Sequence, residues 1–167
     1  NTHTAGNQQA PAVACDAGGD FVVVWDSRNQ DGDSYGVFGQ RYDSAGTAQG
    51  AEFLVNAYTV ERQLTANVCS SPGGDFVVVW HSYLQDGDGY GVFGRRYDAA
   101  GVALGTEFQV NTYTPFAQEY PAVTCDAAGN LVVVWQSEDQ DGDGYGIFGQ
   151  RYDAGGAPRG AEFQVNS

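Results

Sequence analysis

Trp25, Trp80 and Trp135 stand 55 residues apart, as do Tyr35, Tyr90 and Tyr145, and Glu52, Glu107 and Glu162. One unit is therefore written three times, which limits the chain to solenoids, propellers and pseudo-symmetric barrels before any single motif is weighed. The units run over 1–55, 56–110 and 111–167 and form one repeat domain. Asn1 falls in register with Asn56, Asn111 and Asn166, so the three copies read either as part of a longer array or as a set that suffices.

Each unit spells four short strands. In the first, "PAVACD" (11–16) is β-compatible and "AGGD" turns the chain, and "FVVVW" (21–25) is apolar at every position and too short for a helix. "YGVFGQRY" (35–42) carries Tyr35 and Val37 on one side and Phe38 and Tyr42 on the other, and "AEFLVN" (51–56) closes the unit. With both faces apolar, each sheet needs a neighbour on either side, and an identical unit packed face to face supplies it. The fold class is all-β, as three four-stranded antiparallel propeller-like blades. The alternative is a β-trefoil, in which three lobes close one barrel. Propellers run to 4–8 blades, so three blades leave two apolar end faces, and self-association follows as an expectation.

The phrase "PAVACDAGGDFVVVWDS" resembles the opening strands of blades in sialidase-like propellers. The whole unit, ending "GQRYDSAGTAQGAEFLVN", is similar to tandem repeats of large secreted bacterial surface proteins of adhesin type, which stand beside cadherin-like or haemolysin-type calcium-binding modules. That resemblance implies a secreted or cell-surface location.

Three near-identical loops, "QDGDS", "QDGDG" and "QDGDG", place Asp31 with Asp33, Asp86 with Asp88, and Asp141 with Asp143, the last pair joined by Asp139. Carboxylates two apart on a glycine turn repel, and a hard cation with oxygen ligands relieves that repulsion, so calcium is the candidate cofactor. A plain polar turn, with Asp accepting backbone hydrogen bonds, is the other reading. Tyr35, Tyr90 and Tyr145 beside these loops are candidate sugar-stacking platforms, and a packed strand tyrosine is their alternative. Arg41, Arg96 and Arg151 read as strand-to-strand ion pairs with Asp43, Asp98 and Asp153 or with Glu52, Glu107 and Glu162.

A net charge of −14, with arginine the only strong base, disfavours nucleic acid and anionic membrane as partners. No apolar run approaches the roughly 18 residues of a membrane helix. Cys15, Cys69 and Cys125 read as equivalent, buried and unbridged. The middle copy reads as the outlier, with Asn67 in the place of Val13 and Val123 and one extra residue before Asp75, so its first strand should be looser or bulged and the Asn67 amide bonded or at an edge. His3 and His81 fall at different places in their units, no "HExxH" or "GxSxG" occurs, and the "SxDxGxTW" box and arginine cluster of sialidases are missing. Since the copies differ mostly by small substitutions, the expectation is a non-catalytic structural and interaction module, with a multivalent lectin-like module as the alternative.

Overall fold

A computed structural model describes residues 1–166. The first unit holds β1 (Gln8–Cys15), β2 (Phe21–Arg28), β3 (Tyr35–Tyr42) and β4 (Ala48–Leu54). The second holds β5 (Gln63–Ser70), β6 (Phe76–Tyr83), β7 (Tyr90–Tyr97) and β8 (Phe108–Gln109), and the third holds β9 (Gln118–Cys125), β10 (Leu131–Glu138), β11 (Tyr145–Tyr152) and β12 (Phe163–Gln164). Each unit is a separate four-stranded antiparallel sheet with its strands in sequence order. The trefoil alternative fails here, because the sheets stack face to face instead of sharing one barrel.

The alternation within the "VVVW" strands explains the stacking. Val22 and Val24, with Val37 and Val55, pack against Val68, Phe76, Val78 and Trp80 of the second blade. Val77 and Val79, the intervening residues of the same strand, turn the other way onto Leu131, Val133 and Trp135 of the third. The middle blade is thus buried on both faces, as a strand with a period of two and no polar face requires. β1 packs beside β5 and β5 beside β9, so the first strands line one edge of the stack.

All three first strands carry a bulge, where Ala10, Thr65 and Tyr120 adopt φ of 48°, 56° and 53°. The bulge belongs to the repeat, so the middle copy is no looser than the others. Nor does it contain an extra residue: Cys15, Ser70 and Cys125 pair with Phe21, Phe76 and Leu131. Cys69 pairs with Val77, in the place of Ala14 opposite Val22. The cysteines are therefore not equivalent. One residue of offset turns a strand side chain to the opposite face, and so Cys69 faces the third blade and forms a disulfide with Cys125, while Cys15 is free and exposed. Asn67 takes the place of Ala12, opposite Val79. Its side-chain oxygen accepts from the Val123 N–H at 3.3 Å, so the amide is bonded.

The repeated arginines do not form the expected ion pairs among the described residues. Arg41 donates to the Ala100 carbonyl at 2.6 Å, and Arg96 donates to the carbonyls of Ala154 and Gly155. Each reaches the turn that follows the third strand of the next blade.

Candidate functional site

The substitutions that change chemistry most from copy to copy gather at one end of the blades, where the second strand ends and the third begins. Gln9, Leu64 and Glu119 are equivalent, as are Ala10, Thr65 and Tyr120, Asp26, His81 and Gln136, and Arg28, Tyr83 and Glu138. Strand register puts them on one face: Gln136 pairs with Glu119 and with Ile147, and Glu138 pairs with Tyr145.

At the first two interfaces this position clamps the next blade. The buried carboxylate of Asp26 accepts from the bulge N–H groups of Thr65 at 2.9 Å and Ala66 at 3.4 Å. Burial pushes its pKa up to about 6, against the pull of those two N–H groups. His81 does the same work from the second blade, its Nδ1 accepting from the Tyr120 N–H at 3.1 Å. An accepting Nδ1 places the ring proton on Nε2, and burial among the rings of Tyr90 and Tyr120 lowers the imidazole pKa to about 4.

In the third blade the same face is uncovered and acidic. Glu119 and Glu138 are diagonal cross-strand neighbours, about 7–8 Å apart at the backbone. Partial burial and then the charge of Glu138 raise the Glu119 pKa. Partial desolvation and the charges of Glu138 and Glu119 hold the Tyr145 hydroxyl above its usual range. Tyr145 and Tyr120 flank the pair, 54% and 58% exposed.

The repeated loops take a different role. Asp31, Asp86 and Asp141 fold back over Gly36, Gly91 and Gly146, where a Cβ would collide with the carboxylate, which explains the glycine after each loop tyrosine. Burial raises the pKa of Asp31 and Asp86. Asp33 and Asp88 accept from the Glu61 and Phe116 N–H groups of the next blade at 3.0 and 3.1 Å. In the third loop Asp141 accepts from Gln164 at 2.8 Å, Asp139 accepts from Gly144 at 2.9 Å, and Asp143 is exposed. The two aspartates of a loop thus face different partners, and no three His, Cys, Asp or Glu side chains converge as metal ligands among the described residues. At the first loop Gln30 Oε1 and both Asp31 oxygens are buried without a hydrogen-bond donor, and at the second Gln85 Oε1 and Asp86 Oδ1 are too. Of the loop tyrosines, Tyr35 is half-buried and Tyr90 packs on His81 and Tyr83, so only Tyr145 offers an open ring.

No family model and no curated protein matches the chain. Solved structures do. An endo-arabinase from Bacteroides thetaiotaomicron VPI-5482 superposes with a TM-score of 0.59 and 14% identity, covering 100% of this chain and 66% of that one. An α-L-arabinofuranosidase from Lactobacillus brevis superposes with a TM-score of 0.50 and 12% identity, covering 81% of this chain and 47% of that one. The blades share the fold of propeller-like glycoside hydrolases. The chain spans less than two thirds of the length of either.

That finding corrects the expectation of a non-catalytic module, lectin-like or structural, and with it the reading that the chain is no enzyme. Small differences between repeated blades do not exclude catalysis, since the matched fold carries two enzymes. The copies also break symmetry at this end: Glu119 and Glu138 stand where the other copies have Gln9 and Leu64, and Arg28 and Tyr83. Repetition singles out the constant loop residues, whereas Glu119 and Glu138 each occur in one copy only.

Proposed function

We propose that this chain is the blade array of a carbohydrate-active enzyme that cleaves glycosidic bonds at the open rim of its third blade. The observation that carries the reading is the Glu119 and Glu138 pair, two carboxyls on one face with one held protonated to higher pH than the usual glutamate. In a hydrolysis the Glu119 carboxyl would give its proton to the glycosidic oxygen as the bond to the anomeric carbon breaks. Glu138 would take a proton from the water whose oxygen bonds to that carbon. This assigns the pair an inverting mechanism, with the attacking water held between the two carboxyl groups. Tyr145 and Tyr120 would stack on sugar rings. The likeness to an endo-arabinase and an α-L-arabinofuranosidase makes arabinose-containing polysaccharide the first substrate to try. The test is reducing-sugar release from arabinan, expected for the native chain and lost, by about 100-fold or more, in Glu119→Gln and in Glu138→Gln. Release that survives both substitutions, or no release from any arabinan or arabino-oligosaccharide, overturns the assignment.

Secretion from a bacterium belongs to the same proposal, supported by the Cys69–Cys125 disulfide, since such bridges persist in oxidising compartments. Calcium at the repeated loops is a second reading, favoured by the donor-less buried oxygens of Gln30 and Asp31. A melting midpoint that climbs with calcium in the native chain and not in Asp31→Asn supports it, and a midpoint indifferent to calcium ends it.

A further inference from the structure

The joint between the second and third blades differs from that between the first and second in more than its clamp. At the loop end of the first joint stand Arg28, Asn29, Tyr35, Glu61 and Thr65. One repeat on, the same places hold Tyr83, Leu84, Tyr90, Phe116 and Tyr120. Tyr83 and Leu84 come from the second blade and Phe116 and Tyr120 from the third, so the changes from polar to apolar meet at this joint alone. The rings follow one another: the centroids of Tyr83 and Tyr90 are 5.0 Å apart, those of Tyr90 and His81 4.7 Å, and those of His81 and Tyr120 5.6 Å. Phe116 lies over the loop of the second blade, where its N–H donates to Asp88 and its carbonyl leaves no room for a Cβ at Gly89. Leu84 donates its own N–H to the Gly89 carbonyl at 2.7 Å.

Packing between blades does not account for these side chains. Leu84, Phe116 and Tyr120 are 44%, 47% and 58% exposed. They also hold φ of 58°, 62° and 53°, the left-handed region that disfavours bulky residues. The other copies place Asn29 and Asp139, Gly6 and Glu61, and Ala10 and Thr65 there. Backbone strain and exposed apolar surface both work against the fold, and a ligand is the physical reason for keeping them together. Asn29 and Glu61 are exposed at the same places of the first joint, so a joint is open at this end even with a blade on either side. The carboxyl pair adjoins it: Glu119 precedes Tyr120, and the carbonyl of Ala117, next to Phe116, accepts from the Glu138 N–H at 2.8 Å.

We propose that this joint binds sugar units of the polysaccharide that is cut at Glu119 and Glu138, so that the enzyme holds a run of units and cuts within the chain. The inference rests on the proposed glycosidic cleavage for the identity of its ligand. A sugar ring lays its C–H face on an aromatic face while its hydroxyls stay in water or meet the phenols of Tyr83 and Tyr120. A lipid or an apolar peptide would call for aliphatic side chains, of which the patch has Leu84 alone. Arg28 and Glu61 make the same track charged at the first joint, so the apolar track ends on the second blade.

The test measures binding in Glu119→Gln, which leaves the ligand whole. Calorimetric titration with arabino-oligosaccharides of increasing length should show affinity that rises with length and then levels off. Leu84→Asn combined with Phe116→Gln supplies the Asn29 side chain of the first copy and a neutral form of its Glu61, at φ values that those residues already hold, so the melt should not fall. This pair of changes should weaken the longest oligosaccharides about 10-fold and leave the shortest unaffected, and Phe116→Gln alone should show part of the same loss. With the native chain, the viscosity of arabinan should fall faster than reducing ends appear. Equal affinity for short and long oligosaccharides, a doubly substituted chain that binds the longest as tightly as its parent, or reducing ends released without a drop in viscosity overturns the inference. A chain that binds the long oligosaccharides through the joint and releases no reducing sugar overturns the proposed cleavage instead.

Discussion

The interface between the first and second blades and that between the second and third are built on equivalent positions, yet they close by different means. Both bury valines against a tryptophan, Trp80 in one and Trp135 in the other. At the clamp position the first uses a carboxylate, Asp26, and the second an imidazole, His81. Only the second is also joined covalently, by Cys69 and Cys125. Apolar packing is interchangeable along the array, then, while the polar clamp and the crosslink are local choices. Two joints of the same shape can respond in opposite directions to pH and to reductant.

The largest change should come from Trp80→Ala, which empties the core of the uncrosslinked interface at a cost of about 3–5 kcal/mol. Hydrogen exchange should then rise in the first blade well before the third, and equal exchange in both would show that the stack unfolds as one unit. Cys69→Ser, or reductant on the native chain, should cost about 2–4 kcal/mol and bring the second interface down to the behaviour of the first, read as a lower denaturation midpoint.

Titration should separate the two joints. His81 has its pKa lowered in the fold from 6.5 to about 4, so its contribution is full above about 6.5 and is lost as pH falls through about 4. Asp26 has its pKa raised from 3.8 to about 6, so its contribution is full below about 3.8 and is lost as pH rises through about 6. Each change is of order 1–3 kcal/mol. Acidification should therefore loosen the second interface and tighten the first, and His81→Gln should remove the acid-side loss while leaving the Asp26 response in place; residue-resolved exchange at two pH values checks it. The smallest effect is expected of Asn67→Ala, which removes the acceptor from the Val123 N–H at the second interface and should cost about 1 kcal/mol.

The alternating valines of "FVVVW" made the strands and their two-sided burial legible, and the observed β3 spans the same Tyr35–Tyr42 that the pattern picks out. The disulfide is not legible in the spacing of Cys15, Cys69 and Cys125, because the one-residue offset of Cys69 that turns it toward Cys125 is a matter of strand register. Glu119 and Glu138 are 19 residues apart in sequence; nothing local says that they share a face until β9 and β10 pair with Gln136 opposite Glu119.

By itself the sequence determined the repeat, the four strands in each copy and the need for each sheet to be covered on both faces, since these follow from period and side-chain type alone. The tertiary structure decided which side chains cross from one blade to the next, because that depends on strand register and on the bulge at Ala10, Thr65 and Tyr120, and register is a property of paired strands that no single strand carries.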